Sequence, residues 1–166
     1  MKQTANLPEN QNETAAQRTA PALPLFSRIL APTDFSLRSE AALDYAVKLA
    51  RRMQGQLTVL HVLAEPSAFD YTMNGFAHRE WEQVKEEAEN NLADTVAHAK
   101  RTFLEVDAKL RFGPDLCQEI LRTANEISAD LLVLSTHGYT GWKHLLFGSD
   151  AEKILELAPC PILVVR

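Results

Sequence analysis

Apolar positions along the chain alternate between short continuous runs and longer stretches with three- and four-residue spacing. Ile29-Leu30-Ala31 reads as a short strand ending at Pro32. Ser36 then caps a helix in which Ala42, Tyr45, Ala46, Leu49, Ala50 and Met53 recur at helical intervals, with Gly55 placed as its stop. Leu57 to Leu63 is a second strand, followed by a loop from Pro66 to Gly75 carrying Phe69, Tyr71 and Met73. A long polar helix is predicted from about His78 to Thr102, and a third strand from Val106 to Phe112. Gly113-Pro114-Asp115 opens a helix with Leu116, Ile120, Leu121, Ala124 and Ile127 on its inner side. Leu131 to Leu134 is a fourth strand, and Ser135 to Gly148 a glycine-bearing loop. A helix from about Ser149 to Leu157 and a final strand from Ile162 to Val165, opened by Pro161, complete the pattern.

The order is therefore β-α-β-α-β-α-β-α-β. Continuous Leu/Val/Ile strands, rather than strictly alternating ones, belong to parallel sheets buried on both faces. Each crossover is long enough to hold a helix, and right-handed crossovers produce a doubly wound five-stranded α/β sandwich of Rossmann-like type. Residues Met1 to about Leu25 stand apart: they are rich in Gln, Asn, Thr, Ala and Pro, and their large apolar residues are too sparse for a packed face. They are expected to form a flexible tail, with one domain over residues 26–166.

Composition narrows the function. The formal net charge is −5, which argues against a partner as anionic as nucleic acid. No apolar run approaches the roughly 18 residues of a membrane helix, and the first residues lack the apolar stretch of a secretory signal. These features predict a cytoplasmic protein with no membrane or nucleic-acid partner. Cys117 and Cys160 are the 2 cysteines, far apart and outside any metal-ligand spacing, so both read as inert.

Ligands of doubly wound sheets sit beyond the carboxyl ends of the strands, where strand order reverses. Two segments qualify: Pro32-Thr33-Asp34-Phe35-Ser36 after the first strand, and Ser135 to Ser149 after the fourth. In the second, Gly138, Gly141 and Gly148 permit close approach. Gly148-Ser149 lies where a helix begins, whose free N–H groups favour an anion. Read as residues alone, these segments fit either a nucleotide pocket or simple turns. Asp34 similarly fits either a ligand contact or a helix cap.

The segments ILAPTDFS (Ile29 to Ser36), LTVLHV (Leu57 to Val62), DLLVLSTHGYTG (Asp130 to Gly141) and HLLFGSDAEKILELAPCPILVVR (His144 to Arg166) resemble the universal stress protein family. The resemblance spans nearly everything from Phe26 to Arg166 and implies strand order 3-2-1-4-5. It also implies a stress-response or signalling protein that binds ATP, with or without Mg²⁺, and turns over little or none of it. In that reading Asp34 holds adenine or ribose, and Pro32, Thr33 and Val62 line the base. Leu134 and Ser135 lie against the nucleoside, while Gly138, Gly148 and Ser149 hold phosphates.

Two positions depart from the ATP-binding pattern. Ser135 stands in place of the motif's first glycine, and Asp150 follows Gly148-Ser149. A carboxylate about 5 Å from a phosphate oxygen costs on the order of 3 kcal/mol at an effective dielectric near 20. A helix N-terminus returns only about 0.3–1 kcal/mol. Phosphate binding at that point therefore requires Asp150 to point away or Mg²⁺ to bridge the anions; otherwise Asp150 simply stabilises its own helix. The competing function is an interaction module of the same fold that binds no nucleotide.

His137 has no Ser/Asp partner at triad spacing, and Lys143 and His144 read as solvated loop residues. The acidic run Arg79 to Glu89 reads as a solvated helix face. The last strand, Ile162 to Val165, is apolar, lies at the sheet edge in the implied order, and is expected to form a homodimer.

Overall fold

The computed structural model describes residues 25–66, 78–135 and 149–166. Within them run β1 (Arg28–Pro32), α1 (Leu37–Met53), β2 (Gln56–Ala64), α2 (His78–Lys100) and β3 (Val106–Gly113). α3 (Leu116–Glu126), β4 (Leu131–Ser135), α4 (Ser149–Leu157) and β5 (Ile162–Val165) follow. The strands pair in parallel in the order β3-β2-β1-β4-β5, the doubly wound arrangement expected. Residues 1–24, 67–77 and 136–148 lie outside the described residues, and with them most of the predicted tail and of the predicted loops Pro66 to Gly75 and Ser135 to Gly148.

Burial follows strand position. Every residue of β4, and every residue of β1 after Arg28, is buried, whereas the edge strands β3 and β5 are only partly covered. One face, carrying Ile29, Leu57, Val59 and Val133, packs on α1 and α2. The other, carrying Leu30, Leu60 and Leu132, packs on α3 and Ile154 of α4. Each fully buried leucine or isoleucine of this kind contributes roughly 1.5–3 kcal/mol.

Three details differ from the sequence reading. In α1 the inner face is Ser39, Ala42, Leu43, Ala46, Val47 and Ala50, while Tyr45 is turned outward and 51% exposed. The helix ends with Gln54 in the left-handed region (φ 54°), closed by its N–H and by Gly55 N–H donating to Ala50 O. Gly55 is needed instead for closeness, since a Cβ there would lie 2.9 Å from the Ser27 carbonyl oxygen. Ser135, placed in a loop by the sequence reading, is the last residue of β4, paired with Val165 and 3% exposed.

Below the sheet, Asp130 braces the start of β1. Its Oδ2 accepts from Ser27 N–H (2.8 Å) and Ser27 Oγ (2.7 Å), and its Oδ1 from Arg28 N–H (2.9 Å). The two sheet edges also differ in chemistry. On β3, Lys109 and Arg111 both pair with Glu126 of α3, and Asp107 shares their face; β5 carries no charge. The acidic face of α2 is exposed as expected, with Trp81 and Ala88 turned inward.

Candidate functional site

β1 is flanked by β2 and β4, so chain order reverses at the carboxyl ends of β1 and β4. Ile29 is level with Leu131 and Leu30 with Leu132. The paired positions stop there, and Pro32 and Thr33 on one side and Leu134 and Ser135 on the other follow just beyond them. All four residues are buried, so the mouth has a tight floor. Val62 and Leu134 belong to the α3 side of the sheet. Thr33 faces α1, where its Oγ1 lies 3.1 Å from Ser39 Oγ.

Asp34 stands half-buried just past that floor. Its Oδ1 accepts from the Ser36 N–H (3.1 Å) and the Ser36 hydroxyl (2.6 Å). Ser36 in turn caps α1, its Oγ accepting from Ser39 N–H (3.3 Å). The capping role weighed for Asp34 thus belongs to Ser36. The Asp34 carboxylate is fixed in an Asx-type turn at the entrance, where a carboxylate can accept hydrogen bonds from a ligand's hydroxyl or amino groups.

Two residues that the sequence reading did not single out complete this turn. Phe35 has φ 60°, a left-handed conformation unusual for a side chain of its size. Its ring lies 4.3 Å from the His61 ring, centroid to centroid, with the planes 31° apart. His61 Nδ1 lies 2.8 Å from the Thr33 carbonyl oxygen. A carbonyl only accepts, so Nδ1 carries the proton. Burial holds the imidazole below its ordinary range, against the opposing pull of the Thr33 carbonyl and the Asp34 carboxylate. The one available signal was a histidine interrupting the apolar run LTVLHV.

The remaining expected residues divide by location. Gly138, Gly141, Gly148, His137, Lys143 and His144 lie outside the described residues. Ser149 and Asp150 form the first turn of α4. Cys117 is buried, and burial pushes the Cys160 thiol up, with the Asp130 charge adding to it, so the unreactive thiol form is favoured. Among the described residues no group of three or more His, Cys, Asp or Glu could hold a metal ion, and no helix is long and apolar enough to cross a membrane.

The fold and this site define a doubly wound α/β domain with a fixed carboxylate at its switch point. A family model described as "Universal stress protein family" matches residues 25–166, and the chain belongs to that family. The universal stress protein YxiE of Bacillus subtilis is 30% identical over 148 residues, covering 86% of this chain and 100% of its own. Among solved structures, hypothetical protein MJ0577 is 26% identical with a TM-score of 0.69, covering 85% of this chain and 96% of its own. The universal stress protein from Archaeoglobus fulgidus, solved in complex with dAMP, shares the fold at 20% identity and a TM-score of 0.62. That match covers 86% of this chain and 99% of its own.

Proposed function

We propose that this universal stress protein is a cytoplasmic adenine-nucleotide-binding protein that acts through occupancy, with little or no turnover. The observation that carries the reading is Asp34, held by Ser36 at the mouth between β1 and β4. The described part of the crevice suits a nucleoside, offering an anionic acceptor beside the buried, mainly apolar positions Pro32, Val62 and Leu134. The dAMP complex of the Archaeoglobus fulgidus relative supports the same ligand class. ATP is the proposed ligand, with Gly138, Gly148 and Ser149 at its phosphates and Mg²⁺ offsetting Asp150. Calorimetric titration with ATP, with and without Mg²⁺, and with dAMP is expected to show binding that Asp34→Ala weakens at least about tenfold, the scale of a charge-assisted hydrogen bond. Absence of heat with any of these at about millimolar concentration would reassign the chain to an interaction module without nucleotide.

The same reading includes a homodimer through β5. Ile162–Val165 forms one sheet edge, and Val164 is 40% exposed there. Unpaired strand groups at an apolar edge favour pairing with a second copy, whereas the charges of β3 oppose it. Sedimentation is expected to give a dimer for the wild type and a monomer for Val164→Lys. A monomeric wild type at about micromolar concentration would remove the dimer from the proposal.

A further inference from the structure

Between β1 and α1 the chain must turn sharply while leaving Asp34 at the crevice. Thr33, on one side of Asp34, is 1% exposed, and its polar groups are engaged. Its N–H donates to Leu60 O at 2.8 Å, continuing the pairing with β2. Its Oγ1 accepts from Phe35 N–H at 3.1 Å, besides lying 3.1 Å from Ser39 Oγ. Its carbonyl accepts from His61 Nδ1 at 2.8 Å. That carbonyl belongs to the peptide plane that also carries the Asp34 nitrogen, so the bond fixes the backbone entering Asp34.

On the other side of Asp34, Phe35 takes the left-handed conformation that L side chains resist, so something must hold it there. Its ring stacks at 4.3 Å on the same His61 ring. One side chain from the neighbouring strand therefore grips both residues flanking Asp34. Ser36 then sets the carboxylate itself. A carboxylate held in this way spends little freedom when a ligand arrives, which is how preorganisation raises affinity.

We propose that His61 is a positioning residue of the nucleotide site: through the Thr33 carbonyl and the Phe35 ring it presets Asp34 for the nucleoside. The role rests on the nucleotide reading above. It predicts that His61 acts on affinity only through Asp34 and touches the ligand by no route of its own.

Three measurements test it. In wild-type protein at neutral pH, two-bond ¹H–¹⁵N spectra should show the His61 ring protonated at Nδ1, the tautomer less common for free histidine; protonation at Nε2 would overturn the geometry. In calorimetric titration with ATP and dAMP, His61→Phe keeps a ring for Phe35 but loses the donor. It should raise Kd about tenfold, the scale of one lost hydrogen bond. His61→Asn places an amide N–H at the Nδ1 position and should recover most of that loss. In an Asp34→Ala background, His61→Phe should change Kd no further, an outcome that a generally loosened fold would not produce. A wild type that binds while a folded His61→Phe binds equally well overturns this role and leaves the nucleotide reading standing. A wild type that binds no adenine nucleotide overturns both. Should His61→Phe not fold, the wild-type tautomer decides.

Discussion

Gly55→Ala is expected to lower stability by about 2–3 kcal/mol, the upper part of the range for an overpacked site. An added Cβ would lie 2.9 Å from Ser27 O and 3.1 Å from both Phe26 O and Ser27 C. All three are backbone atoms, so no side chain can swing aside. Ser27 cannot retreat easily either, since its carbonyl accepts from Gln56 N–H at 2.8 Å and Asp130 grips its other polar groups. For a domain of this size the melting temperature should fall by about 5–10 °C. The adjacent substitution Gln54→Gly should act in the opposite sense. Gln54 is the residue at φ 54°, and glycine there removes a left-handed penalty of up to about 1–2 kcal/mol, less its own entropy cost. Thermal melts of the two variants would decide which of these neighbours needs to be glycine. Equal melting temperatures for Gly55→Ala and wild type would show that the turn after α1 does not approach Phe26 and Ser27 so closely.

The second large effect is expected at Asp130. Asp130→Ala removes the acceptor of three hydrogen bonds that set the start of β1 between β2 and β4. Charge-assisted bonds are worth about 1.5–3 kcal/mol each, but partial exposure and shared geometry reduce the sum, and a loss of roughly 2–3 kcal/mol is expected at pH 7. The pH dependence carries the distinguishing sign. Burial alone would push the Asp130 carboxyl up, but the bonds from Ser27 and Arg28 and the Arg28 charge outweigh it and hold the group below its ordinary range. Its folded pKa is therefore lower than its unfolded one. The stabilisation is complete above the ordinary aspartate value of about 3.9 and disappears as pH falls below it. His61, also lowered, loses its contribution in a separate window, below its ordinary value of about 6.5. That loss is common to both proteins and cancels in their difference. Urea unfolding at pH 7, 5 and 3 should show the gap between wild type and Asp130→Ala holding between the first two and shrinking at the third. A gap independent of pH would assign the effect to packing rather than to the carboxylate.

The sheet was legible because its cause is local. Runs such as Leu131 to Leu134 lie inside one strand, and a continuous apolar run needs cover on both faces wherever it occurs. Ser36 was legible as a cap for the same reason, since its partner Ser39 is three residues away. The Asp130 brace has no such signature: its partner Ser27 is 103 positions distant. Gly55 was misassigned because a glycine after a helix normally marks the left-handed residue, and only the proximity of Ser27 reveals its other use. At the site, Asp34 is marked by its place just after the first strand and its ligand role by family resemblance, while its geometry depends on a histidine from the next strand. In β2, His61 interrupts the apolar run Leu57 to Val62, a signal that marks the residue but not its partner. What it grips is visible only when β1 and β2 lie side by side.

If the dimer forms as proposed, the unequal edges of the sheet would set a valence. A sheet whose two outer strands were both apolar could acquire a neighbour on each side, and its assemblies would have no natural size. Here the β3 margin is occupied by Asp107, Lys109 and Arg111, while β5 offers Ile162–Val165 uncharged. On the proposed pairing through β5, each molecule would have a single adhesive margin among the described residues, and association by sheet extension would saturate after one neighbour. Raising the concentration would change the number of such assemblies and leave their length unaltered.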